Sequence, residues 1–316
     1  MKRILFVCIF LLISINLSAQ TDEPTLCEEG FRLIVHALGE TCVPENPQRV
    51  VPLDMTITEL LYLADMTPVA LSETVLASYE RMHPDLADTF DEWREDSTVD
   101  MGFPPNIEAI LSAEPDLIIG PLDLFSETLY PQLSEIAPTV LYEPDPGDWR
   151  SRLIFAGDVL GLDELVQAEL EAYDARVDEL RELLGEDAET ITVSLVRTFP
   201  GQIGLVLTGT NAATVLDSLG LSRPESQQYD YETVLDDLNG RPELLISVEE
   251  LFLADADVVF VFGDTSELFD SPLWNSLPAV IDGRAYEVGY YWWGDSLFSA
   301  HKMLDDVMMY IAEPAP

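Results

Sequence analysis

Four large rings in a row, Tyr290-Tyr291-Trp292-Trp293, and an arginine ending an apolar run, Arg197, are the residues of this chain best suited to recognition chemistry. The rings follow an apolar stretch, Ala285 to Val288, and precede a helical pattern beginning near Ser296, which puts them in a strand-to-helix loop. Loops are normally polar, and in an open α/β sheet the loops at strand ends face a ligand crevice. Rings there can stack on a bulky, partly apolar ligand, and some of the four are expected to fill the core beneath the last helix. Arg197 closes the stretch Thr190 to Val196, where a fixed guanidinium fork suits carboxylate or hydroxamate oxygens. Arg81 and Arg94, in an irregular stretch after the second strand, are further candidates.

Catalytic signatures are missing from this inventory. The sequence has no G-x-S-x-G elbow, no phosphate-cradling G-x-x-x-x-G-K-S/T loop and no G-x-G-x-x-G fingerprint. His36, His83 and His301 are scattered, without H-E-x-x-H spacing, so no metal site is signalled, and His36 and His301 read as structural. With 59 Asp and Glu, no pair of carboxylates stands out as an acid and a base. Against those acids stand 15 Lys and Arg, a formal net charge of −44. Nucleic acid and anionic membrane surfaces are therefore poor partners. The acids are dispersed along the chain and read as a solvated surface.

The N-terminus carries Lys2 and Arg3, an apolar run from Ile4 to Ile15, and Leu17-Ser18-Ala19. This is the pattern of a cleaved signal peptide over residues 1–19, shorter than a membrane-spanning helix. Cys8 lies within the run after Val7, a poor lipid-attachment site, so no membrane anchor is expected. Cys27 and Cys42 then remain, and an exported chain with two cysteines is expected to pair them. Residues Phe31 to His36 and Thr41 to Pro44 read as strands around a turn at Leu38-Gly39, so the bridge would staple a hairpin.

From Arg49 onward short apolar strands alternate with helical stretches, which argues an α/β protein with largely parallel sheets. Asp163 to Leu184 breaks the rhythm. It has no Gly or Pro, carries apolar residues at helical spacing, and is closed by Gly185. It predicts one long rigid α-helix connecting two lobes. An internal echo supports the two lobes: Glu108 to Gly120 aligns without gaps on Glu249 to Val261, with Asp116 matching Asp257. Asn106 and Ser247 are placed to cap the helices that open each copy, and Ser247-x-x-Glu250 is a capping box. The division expected is residues 20–47 as a disulfide-bearing hairpin, 48–162 as the first lobe, 163–185 as the connecting helix and 186–316 as the second lobe.

Arg49-Val-Val-Pro-Leu-Asp54, Pro105-Asn-Ile-Glu-Ala-Ile110 running into Pro115-Asp-Leu-Ile-Ile119, Ile136-Ala-Pro-Thr139, the central helix, Val193-Ser-Leu-Val-Arg197 and the closing aromatic loop together resemble a known class. It is the helical-backbone class of ABC-importer substrate-binding proteins, which carry ferric siderophores, haem or cobalamin. The resemblance runs from Arg49 to the C-terminus. It implies two Rossmann-like lobes with a ligand cleft between them, no intrinsic cofactor, and an Fe(III)-siderophore complex as cargo. It also implies that one Glu per lobe docks on the transmembrane permease; the matching positions are Glu108 and Glu249. An axial Tyr or His near Tyr290–Tyr291 or His83 would favour haem, and a nucleophile–base set would favour an exported hydrolase or adhesion module.

Overall fold

The structure, a computed structural model, describes residues 27–95, 98–143, 147–229, 233–234, 238 and 241–313. The expected signal peptide, residues 1–19, lies outside them. Phe31–His36 (β1) and Gly39–Pro44 (β2) form an antiparallel hairpin, with Phe31 opposite Pro44 and His36 opposite Gly39. A disulfide joins Cys27 to Cys42 across a sequence separation of 15. The hairpin buries Ile34 and Val43 in the main core, and its Ala37 N–H donates to the Leu141 carbonyl at 2.8 Å.

The first α/β lobe holds Val50–Pro52 (β3), Ala70–Leu71 (β4), Val99–Asp100 (β5), Leu117–Pro121 (β6) and Thr139–Tyr142 (β7). All its pairings are parallel, in the order β3-β6-β7 and β4-β5, and the Val69 N–H donates to the Val50 carbonyl at 3.0 Å where the two ribbons meet. The second lobe holds Val193–Phe199 (β8), Gln202–Val206 (β9), Glu243–Ile246 (β10), Val258–Gly263 (β11) and Ala285–Glu287 (β12), in the order β10-β9-β8-β11-β12. Strands β8, β11 and β12 are parallel, while β9 runs antiparallel to both β8 and β10. The parallel expectation is thus corrected at one edge: the Pro200-Gly201 turn, with Gly201 at φ +73, folds the chain straight back. Arg197 is consequently not the last residue of its strand, which continues to Phe199.

Alternation along the buried strands divides the core. Val258, Phe260 and Phe262 of β11 enter the cluster shared by both lobes, and Val259 and Val261 enter a second one on the other face. Leu117 and Ile119 of β6 join the shared cluster, whereas Ile118 packs opposite. Asp163–Leu184 is a single α-helix whose buried residues, Val166, Tyr173, Val177 and Leu180, make one stripe at helical spacing against that shared core. The stretch containing Arg81 and Arg94 is also helical, Glu73–Met82 and Ala87–Glu95, correcting its reading as irregular.

The internal echo has a physical counterpart in both lobes. Asp116 accepts the backbone N–H groups of Gln48 and Arg49 at 2.8 and 2.9 Å, and Val50 pairs with Leu117. Asp257 accepts the N–H and hydroxyl of Thr192 at 2.9 and 2.8 Å, and Val193 pairs with Val258. Each Asp ties the start of its lobe's first strand to the start of the strand with which the echo ends.

Candidate functional site

The aromatic loop is a short 3-10 turn, Tyr290–Trp293, bracketed by glycines. A Cβ on Gly289 would lie 2.0 Å from the Tyr291 ring, and one on Gly294 would lie 2.0 Å from the Ser299 hydroxyl, so only glycine lets the turn seat this close to the last helix, Leu297–Val307. The turn sorts its rings into two pairs. Trp292, 1% exposed, donates its indole N–H to Asp306 at 2.7 Å and packs on Phe260. The Tyr291 hydroxyl donates to the same Asp306 oxygen at 2.9 Å. These two rings anchor the last helix. Burial raises the Asp306 carboxyl despite both donors.

Tyr290 and Trp293 turn the other way, onto Arg197. The guanidinium carbon lies 3.9 Å from the Trp293 ring centre and 5.0 Å from that of Phe199. One terminal nitrogen donates to the Tyr290 hydroxyl at 3.0 Å, and the other lies 3.3 Å from both carboxylate oxygens of Glu243 on β10. Gly204 on β9 leaves the space for that carboxylate, since a Cβ there would come within 2.6 Å of it. Arg197 is thereby held flat, with 18% of its side chain open to solvent.

Arg81, from the first lobe, reaches the same place. Its guanidinium carbon lies 5.9 Å from the Tyr290 ring centre, matching the 5.9 Å of Arg197 to that ring. It is exposed, has no carboxylate in ion-pair range among the described residues, and donates to the Ser78 hydroxyl at 3.3 Å. The two lobes therefore bring together Arg81, Arg197, Tyr290 and Trp293. Arg94 does not join them. Glu73, Glu80 and Asp91 hold it at 2.9, 2.6 and 2.8 Å, which ties one helix to the next.

Arg152 was not legible in the sequence. It projects from the helix Trp149–Leu160, with 14% of its side chain exposed, and pairs across the lobes with Asp295, next to the aromatic loop. Asp54 stands close by, capping Ile57 at 2.9 Å and accepting the Tyr142 hydroxyl. Burial raises the Asp54 and Asp295 carboxyls, and the Arg152 charge opposes the shift in both. A recess of about 220 Å³ lies beside Asp295, lined also by Gly147, Thr210, Asn211, Trp292 and Trp293. Another of about 250 Å³ lies beside Arg152, lined also by His36, Tyr142, Glu143, Asp148 and Phe155. The second recess is lined by the hairpin and first lobe, the first mostly by the second lobe, and the ion pair across the lobes gives each recess one wall residue, Arg152 to the second and Asp295 to the first.

A family model described as periplasmic binding protein matches residues 50–290, from β3 through Tyr290. The chain belongs to the periplasmic binding protein family. Its relatives include the Bacillus subtilis "Probable siderophore-binding lipoprotein YfiY", 28% identical over 98% of this chain and 97% of that protein. The ferric-anguibactin-binding protein FatB of Vibrio anguillarum is 25% identical over 76% of this chain and 71% of its own length. Staphylococcus aureus SirA, solved in complex with staphyloferrin B, superposes with a TM-score of 0.68 at 25% identity, covering 87% of this chain and 97% of SirA. The siderophore periplasmic binding protein from the fuscachelin gene cluster of Thermobifida fusca gives 0.68 at 28% identity, covering 84% of this chain and 96% of that one.

Three groups of this binding protein bear on haem as a ligand. His83 is buried, hydrogen-bonded to Ser299 at 3.1 Å, and pushed down to about 4 by burial. Tyr291 is engaged by Asp306, and the Tyr290 hydroxyl accepts from Arg197 at 3.0 Å. Glu108 and Glu249 are exposed at the starts of Ile107–Ser112 and Val248–Ala254. The Asn106 side chain caps the first helix at Ala109, 3.0 Å away, while in the second the Glu250 carboxylate accepts the Ser247 N–H and hydroxyl at 2.9 and 2.8 Å.

Proposed function

We propose that this chain captures a ferric siderophore in the groove between its lobes and delivers it to the permease of an ABC importer outside the cytoplasm. The observation that carries the reading is the meeting of Arg81 from one lobe with Arg197, Tyr290 and Trp293 from the other. Two guanidinium groups and aromatic faces suit the outside of an iron chelate: the arginines bond its oxygens, and the rings cover its organic shell. Relatives whose names or structures refer to siderophores support the same class of cargo. Each recess beside the Arg152–Asp295 pair is smaller than the roughly 300–1,000 Å³ of a small-molecule site. A siderophore therefore has to part or displace that pair, joining the two recesses into one site.

Glu108 and Glu249 support the delivery step. They are equivalent in the two lobes, exposed, and both open a helix, so the pair suits a partner that presents two similar cationic sites. The test of capture is a titration of the intrinsic tryptophan fluorescence with ferric siderophores, haem, cobalamin and free metal salts. Saturable quenching by a ferric siderophore alone supports the reading, and quenching by haem or cobalamin alone overturns it.

A further inference from the structure

The charge around the groove restricts the kind of iron chelate it can take. This step rests on the proposed siderophore cargo and deepens it. Arg197 is already balanced by Glu243 at 3.3 Å, and Arg152 by Asp295. Arg94, which could otherwise have added to the field, is held by three acids. Arg81 is the one arginine of the groove with no acid in ion-pair range among the described residues. Glu143 and Asp148 line the recess beside Arg152 as well, so the wall is close to neutral or mildly acidic even where the arginines gather. The chain as a whole carries a formal net charge of −44, and the field of its surface reaches inward over a Debye length of about 8 Å at physiological ionic strength.

A trianionic chelate entering this groove would have to displace the carboxylates from their arginines, leave them unpaired nearby, and approach against the field of the whole surface. A chelate of low charge still parts Arg152 from Asp295, but it leaves Arg197 on Glu243 and does not approach against the field of the surface. Its oxygens need one unbalanced donor, which Arg81 supplies, and the partly exposed Tyr290 and Phe199 rings, which already carry guanidinium groups over them, offer apolar cover and tolerate positive charge. We infer that the site is selective for ferric complexes of low net charge, neutral or monocationic tris-hydroxamates, and discriminates against trianionic tris-catecholates.

The experiment is a set of fluorescence titrations of the full chain with ferrioxamine B, which is monocationic, ferrichrome, which is neutral, and ferric enterobactin, which is trianionic. The trianionic complex should bind at least about tenfold more weakly than the better of the other two, a factor that its three negative charges supply together even in a watery dielectric, where one unit pair at about 4 Å is worth roughly fivefold. Raising the salt should narrow the gap, because screening removes the contribution of the surface. Glu243→Gln should also narrow it, by strengthening the trianionic complex, since Arg197 is then left unbalanced; Asp295→Asn should act in the same direction through Arg152. A wild-type protein that binds ferric enterobactin as tightly as the low-charge complexes, or tighter, overturns the inference and leaves the siderophore reading standing. A protein that binds none of the three ferric complexes overturns both.

Discussion

Arg197→Ala removes more than one interaction, and the structure gives the parts. It deletes the donor to the Tyr290 hydroxyl at 3.0 Å, the contacts to Glu243 at 3.3 Å and the stack on Trp293 at 3.9 Å. A charge-assisted hydrogen bond to the ligand is worth about 1.5–3 kcal/mol, so affinity for a ferric siderophore should fall roughly ten- to over a hundredfold. Stability should fall too, because Glu243 is left with 12% of its side chain exposed and no cation beside it. The double variant Arg197→Ala/Glu243→Gln separates the two effects: it should recover most of the melting temperature and none of the affinity. Arg197→Lys should recover little affinity, since one ammonium cannot reproduce the fork that reaches Glu243 and Tyr290 together. Fluorescence titration gives the affinity, and thermal denaturation followed by far-UV circular dichroism gives the stability. A folded Arg197→Ala protein that binds every ferric siderophore with wild-type affinity would refute the placing of the ligand on this arginine.

Three further outcomes are expected. Replacing Cys27 and Cys42 together by Ser should lower the unfolding free energy by up to about 3 kcal/mol for a loop of this size, measured by denaturant titration; an unchanged midpoint and slope would show that the bridge constrains nothing. Glu59 is buried between the lobes, accepting the Tyr79 hydroxyl and the Phe298 N–H, and burial beside Asp54 raises its carboxyl from 4.5 to about 7. A raised carboxyl contributes stability that is complete below its unfolded value and is lost as pH rises through about 7. Wild-type protein should therefore lose melting temperature relative to Glu59→Gln between about pH 5 and pH 8, and parallel curves for the two proteins would contradict this. Glu108→Lys and Glu249→Lys should each impair transport in cells while leaving ferric-siderophore affinity near wild type; variants that lose affinity as much as transport would end the docking assignment.

The parts of the fold that were legible in the sequence are those where one local rule decides. Asp163–Leu184 has no breaker inside it and Gly185 at its end, and β1 and β2 flank a short turn next to two cysteines in an exported chain. Strand β9 was hidden because Gly204 interrupts its apolar run, and the reason for that glycine, the Glu243 carboxylate, is 39 residues further on by simple subtraction, 243 − 204. The helices Glu73–Met82 and Ala87–Glu95 were hidden by their charge. Their apolar faces are pairs three residues apart, Leu76 with Tyr79 and Phe90 with Trp93, too few to register as a period.

The same contrast runs through the site. Arg197 was a candidate in the sequence because an arginine next to a buried apolar run has few structural uses, and the structure sets it two residues before the end of its strand, against Tyr290 and Trp293. The sorting of the four rings was not, because nothing in Tyr-Tyr-Trp-Trp says which two will meet Asp306, a residue of the next helix. Arg152 was missed for a related reason: its partner, Asp295, is 143 residues away, and only the closing of one lobe on the other makes them neighbours. Arg94 shows the opposite error, a candidate by residue type whose neighbours turn out to be three acids.

The central claim, that the cargo is an iron chelate held between the lobes, is tested most directly by locating the iron. Crystals of the protein grown with a ferric siderophore that quenches its fluorescence, measured at the iron absorption edge, give an anomalous map with one peak per bound metal. The account predicts that peak in the interlobe groove, with the chelate in contact with Arg81 and Arg197, Trp293 against its organic shell, and Arg152 parted from Asp295. Iron found on the acidic outer surface, or in the groove but touching neither arginine, would contradict it.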